Sequence, residues 1–142
     1  MALTSAGGYP VINTPRGTII VKDNMTAKLT WNPGFKAYRQ NQFMNGQQFV
    51  DSEILRLCEP YIPKLTGMLI LSGILGTMVG SGWIKWIAPY ASKQYYLENR
   101  RPSQTGAQRG SFWFQRMKQS HGRSILNGAA RVMGARSAKW SK

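Results

Sequence analysis

The sequence has one cysteine, Cys58, one histidine, His121, and only five carboxylates among its 142 residues. A single cysteine excludes an internal disulfide and a multi-cysteine metal site. One histidine without a neighbouring acid leaves a histidine-based metal site or a Ser-His-Asp triad short of parts. The carboxylates Asp23, Asp51, Glu53, Glu59 and Glu98 are scattered. Asp51 and Glu53 stand two apart in a helical pattern, so they point to different sides. There is no Walker loop, GxGxxG fingerprint, cysteine pair or nucleophile elbow, and no internal repeat. The sequence therefore predicts no enzyme: no catalytic residue, no metal and no cofactor. Cys58 follows Ile54 and Leu57 at helical spacing and reads as a small buried hydrophobe. The N-terminus has no basic patch followed by an apolar core, so no secretory signal is expected.

What the chain does have is positive charge and aromatic surface. Residues 1–59 carry six basic and four acidic groups, a net of +2, whereas residues 60–142 carry thirteen basic groups against Glu98, a net of +12. A field of that sign attracts polyanions: nucleic acid, acidic protein or anionic lipid. Five Trp, six Tyr and five Phe supply enough apolar surface for a folded core. The length fits one domain.

Along the chain, two prolines and three glycines make residues 1–17 an extended N-terminal arm. Thr18 to Lys22 and Thr26 to Trp31, joined through Asp23-Asn24, read as a β-hairpin. After Asn32-Pro33-Gly34 the period changes. Phe35, Tyr38, Gln42, Phe43, Phe49, Val50, Ile54, Leu57 and Cys58 mark one long helix ending near Glu59-Pro60, with a possible kink at Asn45-Gly46. Pro89 opens a further helix over Tyr90 to Glu98. Residues 99–110 form a polar basic loop. Ser111 is the expected N-cap of a helical region running to Met133, which Gly122 divides into two helices. Residues 135–142 form a basic tail, leaving residues 18–134 as the domain.

Leu65 to Ile84 is twenty residues without a charge, the length of a membrane span. Five glycines interrupt it, and each weakens a helix by roughly 1 kcal/mol relative to Ala. The favoured alternative is a second hairpin, with strands over Ile74 to Val79 and Trp83 to Ala88 and a turn at Gly80-Ser81-Gly82. The expected fold class is thus α+β: a small antiparallel sheet of hairpins packed with a long helix and C-terminal helices. No membrane partner is expected.

Three segments, in order, resemble the minor capsid proteins of long-tailed bacteriophages over about residues 38–133. They are Pro60-Tyr61-Ile62-Pro63-Lys64-Leu65-Thr66-Gly67-Met68-Leu69-Ile70-Leu71-Ser72, then Ile84-Lys85-Trp86-Ile87-Ala88-Pro89-Tyr90-Ala91-Ser92-Lys93-Gln94-Tyr95-Tyr96, then Trp113-Phe114-Gln115-Arg116-Met117-Lys118. The residues before Phe35 have no counterpart in that pattern. The resemblance implies a structural protein of the virion neck, made in the host cytoplasm. It would form a homo-oligomeric ring of six or twelve copies around the DNA channel. Its neighbours would be portal or head-closure proteins and tail proteins, with non-specific contact to packaged DNA. The motif positions carried over as fold-defining are Pro63, Thr66, Gly67, Leu69, Ser72, Pro89, Tyr90, Ala91 and Trp113. Gly67 is expected to supply a left-handed turn, Thr66 to cap the next element and Tyr90 to pack on the hairpin. Arg100, Arg101, Arg109, Arg116, Lys118 and Arg123 are the candidate contacts to the channel DNA or to an acidic neighbour. Two alternatives compete. Ser124 to Gly134 superficially resembles a helix-turn-helix of a sequence-specific DNA-binding protein. Residues 65–84 could serve a small holin-like membrane protein.

Overall fold

The computed structural model describes residues 19–22, 25–97 and 108–135. The arm over residues 1–17, Arg100, Arg101 and nearly all of the basic tail lie outside the described residues. Two four-residue strands, β1 (Ile19–Lys22) and β2 (Met25–Lys28), pair antiparallel with Ile20 opposite Ala27. The rest is helical: α1 (Phe35–Cys58), a 3₁₀ turn (Glu59–Tyr61), α2 (Met68–Gly76), α3 (Ala91–Tyr96) and α4 (Trp113–Val132). The expected α+β class is therefore wrong, because the described residues are mostly helical and among them no antiparallel sheet packs on the helices. A lone two-stranded ribbon has no second layer to cover.

Helix α1 begins where Asn32 folds back on itself. Its side-chain oxygen accepts the Gly34 N–H at 2.9 Å and its carbonyl accepts the Phe35 N–H at 3.0 Å. The helix then runs unbroken for 24 residues, about 36 Å, through the Asn45-Gly46 pair expected to kink it. Gly46 serves a different purpose: the Met133 side chain occupies the space where a Cβ would stand. Further along, Phe49 fills the corresponding space over Gly128. These two contacts set α1 and α4 antiparallel at close range. At the end of α1, Pro60 forces the chain out of the α-helix, and Ile62 turns extended ahead of Pro63.

Helix α4 is also continuous, passing through Gly122, where two helices were expected. The reason is an unbroken i, i+4 row. Trp113, Met117, Ile125 and Ala129 are buried, and His121 fills the missing place by meeting the Tyr61 ring edge-on at 6.2 Å. The N-cap is Phe112, not Ser111, and it sits in the left-handed region at φ 52°. Its N–H donates to the Tyr95 carbonyl at 3.0 Å, which holds the start of α4 against α3. Helix α3 is shorter than expected, six residues, with Tyr90 as its N-cap.

The uncharged stretch is where the expectation and the fold diverge most. Helix α2 takes Ile74 to Gly76, the start of the expected first strand, and neither the residues after it to Val79 nor those from Trp83 to Ala88 pair as a strand. Gly73 and Gly76 looked like helix breakers. In the fold they make room: a Cβ on Gly73 would lie 2.5 Å from the Trp86 indole nitrogen, and one on Gly76 would lie 2.6 Å from Ile87. The returning chain can therefore lie directly on the helix. The turn itself is where it was expected. Gly80 and Gly82 both take positive φ, 95° and 75°, and the Ser81 N–H donates to the Met78 carbonyl at 3.1 Å. The two arms are tied at Thr77, whose hydroxyl accepts the Lys85 N–H at 3.1 Å.

A carboxylate anchors that turn. Asp51, on α1 and 1 % exposed, accepts the Gly80 N–H at 2.7 Å and the Gly82 N–H at 3.0 Å through Oδ2. Its Oδ1 accepts the Gln47 amide at 2.8 Å. Around this clamp the core comprises Cys58, Tyr61, Ile62, Leu69, Ala91, Trp113, Met117 and Ile125, all buried. Trp113 is its centre, with Tyr95 edge-on at 4.7 Å and Trp86 at 5.7 Å. Such pairs add about 0.5–1.5 kcal/mol each beyond their buried area.

Asp51→Ala strands the buried Gly80 N–H and loses the partly buried Gly82 bond, and is expected to cost about 2–4 kcal/mol in urea unfolding, with Asp51→Asn losing less. A change below about 0.5 kcal/mol for Asp51→Ala would show that the clamp contributes little.

Candidate interaction surface

The largest unusual feature of the exterior is apolar. On α2, Leu69, Ser72 and Gly73 face the core, while Met68, Leu71, Ile74 and Leu75 occupy the opposite arc and are exposed. Leu65 before the helix is 98 % exposed, and Met78, Val79, Trp83 and Ile87 after it are exposed as well, Trp83 by 72 %. Most of these exposed apolar residues belong to the uncharged segment that sequence reading singled out, and Ile87 lies just past the exposed Lys85. A patch of this extent marks an interaction site far more often than a bare surface.

Beside it lies an aromatic groove of about 710 Å³. Gln47, Val50, Asp51 and Ile54 of α1 form one wall. Trp83, Ile84 and Trp86 form another, and Tyr95, Tyr96, Trp113 and Phe114 close the end. Burial pushes the Tyr95 phenol above its usual range, partly offset by a hydrogen bond with the Gln115 backbone. The groove holds one carboxylate, Asp51, and both its oxygens are already engaged. Among the described residues, no group of three or more His, Cys, Asp or Glu side chains could hold a metal ion.

The motif positions fall at joints of the fold. Gly67 takes φ +81° and is the N-cap of α2, the left-handed turn expected of it. Thr66 does not cap the helix and is exposed. Leu69 is buried, and the buried Ser72 hydroxyl donates to the Leu69 carbonyl at 2.7 Å. Pro63 is half-buried and follows the 3₁₀ turn, while Pro89 is exposed before α3. Ala91 and Trp113 are core residues. Tyr90 is 42 % exposed, and the hairpin on which it was expected to pack does not exist.

The basic candidates separate into two groups. Arg109 donates through Nη1 to the Glu59 carbonyl at 3.0 Å and the Ile62 carbonyl at 2.7 Å. It thereby satisfies carbonyls at the end of α1 and the 3₁₀ turn. Arg116 donates to the Ser111 carbonyl at 3.2 Å and lies over the Tyr61 ring at 5.4 Å. Both guanidiniums thus bind the protein itself. Lys118 and Arg123, by contrast, are exposed on α4. Arg100 and Arg101 lie outside the described residues.

No match was found to a known protein family, a curated protein or a solved structure.

Sequence reasoning misses Asp51, which reads there only as one of five scattered carboxylates. The available signal was its position beside Phe49 and Val50 and three residues before Ile54. An acid inside an apolar stripe needs buried donors, and a glycine-rich turn offers bare N–H groups. Cys58, expected to be a small buried hydrophobe, is fully buried, and desolvation pushes its thiol up to about 12.

Two predictions follow from this geometry. Arg109→Gln should lower stability by about 1.5–3 kcal/mol per bond lost and leave the salt slope of duplex-DNA binding unchanged, whereas Lys118→Gln or Arg123→Gln should reduce that slope by about one each with little change in melting temperature. For Cys58, the ordinary thiol value near 9 is raised in the fold. Its contribution is therefore complete below about pH 9 and is lost as pH rises toward 12, by up to about 4 kcal/mol. Cys58→Ala should flatten alkaline unfolding in that window, and the native wild-type thiol should resist a disulfide reagent at pH 8.

Proposed function

We propose that this chain is a structural, non-enzymatic subunit of the bacteriophage neck, forming a ring of six or twelve copies between the portal or head-closure complex and the tail. The observation that carries the reading is the exposed apolar face of α2 and the segments flanking it. A ring subunit must offer each neighbour such a surface, typically about 800 Å² per partner. The aromatic groove adds a second apolar surface of different shape.

Two further features support the reading. The motif shared with phage minor capsid proteins has Gly67, Leu69, Ser72, Ala91 and Trp113 at turns and core positions, which suits a motif that specifies a fold and not a ligand site. The excess positive charge of residues 60–142 suits a protein beside a DNA path, where phosphate attraction is independent of base sequence.

The alternatives fit less well. Ser124 to Val132 is part of one continuous helix, without the bend between two helices that a helix-turn-helix needs. No helix among the described residues is long and apolar enough to cross a membrane, and α2 at nine residues spans about 14 Å.

Quantitative mass spectrometry of purified virions, followed by symmetry-resolved electron microscopy, tests the proposal. The expected result is the chain in the particle at six or twelve copies, ringed about the DNA path below the portal. Particles that infect normally and contain none of it would refute the neck assignment.

A further inference from the structure

We infer that the outer end of α1 is a stacking platform for single-stranded nucleic acid, formed by Trp31, Phe35, Tyr38 and Arg39 and flanked by the cations Lys28 and Lys36. This goes beyond the neck reading and does not rest on it. It concerns another face of the molecule and unpaired bases, and the neck reading requires neither.

The first argument is that this end of the helix does little for the fold. Gly46 is the first buried residue of α1. Every residue from Lys28 to Asn45 is exposed or half-buried. Trp31 is 39 % exposed and Tyr38 61 % exposed. Aromatic rings carry much of the energy of binding surfaces, and here they stand in water.

The second argument is order. Trp31, Phe35, Tyr38, Arg39 and Gln42 recur at helical spacing and make one stripe. The Trp31 and Phe35 rings lie 5.4 Å apart, tilted by 36°. The Arg39 guanidinium lies over the Phe35 ring at 5.7 Å. Its Nη1 donates to Gln42 Oε1 at 3.1 Å, and Gln42 Nε2 donates to the Tyr38 hydroxyl at 2.8 Å. Each flat group is thus held by a neighbour, which lowers the ordering cost of a ligand. Bases stack on such rings, and an arginine adds cation–π attraction.

The third argument is charge. Lys28, Lys36 and Arg39 are exposed, and residues 24–50 contain no carboxylate. Phe35 to Phe43 spans about 12 Å of helix, over which one strand carries about three to four phosphates. Cations and phosphates therefore match in number. A duplex would engage the cations and leave the rings idle, because its bases are stacked inside. An anionic lipid surface would take the rings but would have to bury Arg39, which Phe35 and Gln42 hold within the stripe. An acidic protein offers carboxylates without the ring faces that a strand presents at every nucleotide.

The test uses the full chain and an oligothymidylate of about twelve nucleotides, followed by fluorescence anisotropy at about 0.15 M salt and above. Wild type is expected to bind this strand more tightly than a duplex with the same number of phosphates. Trp31→Ala and Tyr38→Ala remove rings without changing the charge. Each should weaken strand binding roughly tenfold and leave duplex affinity as it was. Trp31→Phe should retain most of the strand affinity. Lys36→Gln and Arg39→Gln should each lower the salt slope for the strand by about 0.7. Tyr38 is the more exposed ring, so helical circular dichroism should persist in Tyr38→Ala even if Trp31→Ala loosens the start of α1. The inference fails if wild type does not bind the strand, or binds the duplex as tightly. It fails if the folded ring variants bind the strand as wild type does, or lose strand and duplex equally. It also fails if anionic vesicles or polyglutamate compete as well as the strand. Ring-dependent strand binding by a chain missing from virions would retain the inference and remove the neck assignment. A chain present in virions that binds no strand would do the reverse.

Discussion

The fold depends on one buried carboxylate meeting two backbone amides. Asp51 brings a negative charge into an otherwise apolar helix face, and a buried charge is tolerated only when it is well bonded. Gly80 and Gly82 provide those bonds because both lie in a turn whose positive φ angles aim two N–H groups at the same oxygen. The clamp fixes where the returning chain sits. From that follow the placement of Trp86 against Gly73, the packing of Trp86 on Trp113, and the seating of α4. A buried polar contact on α1 thus decides how the aromatic centre of the molecule is assembled.

The same turn explains why so much apolar surface stays outside. Helix α2 is short, and one arc of it suffices to close the core with Leu69, Ser72 and Gly73. In a solitary protein such a face would be a liability for aggregation. Two surfaces of opposite character result: an uncharged apolar one on α2, and a cationic one on α4 with Lys118 and Arg123. The neck role proposed above would have use for both.

Part of this was legible in the sequence. The long helix from Phe35 to Cys58 announced itself through its period and its Asn-Pro-Gly entry, and the glycine turn at residues 80–82 through its composition. The left-handed Gly67 and the buried Cys58 were also readable, because their causes are local: backbone freedom in one, helical spacing in the other. The antiparallel sheet was misread from Ile74 to Ala88. There the alternation of large and small residues mimicked a strand, and glycines that create space for Trp86 and Ile87 resembled breakers. Gly46 misled for the same reason, since an isolated glycine shows its entropic cost locally and its packing benefit only across the fold, while Gly122 is carried through by the buried row of α4 residues on either side of it.

The sequence by itself determined the long helix α1, the turn, the charge imbalance and the poverty of catalytic groups, because each is a property of neighbouring residues or of composition. Tertiary structure decided which arginines are occupied, which glycines are contacts, and which carboxylate is buried. Arg109 and Lys118 look alike in a charge count, yet one is bonded to carbonyls about fifty residues away in the chain and the other faces solvent. That difference depends on what lies opposite each side chain once distant segments meet, and no local pattern encodes it.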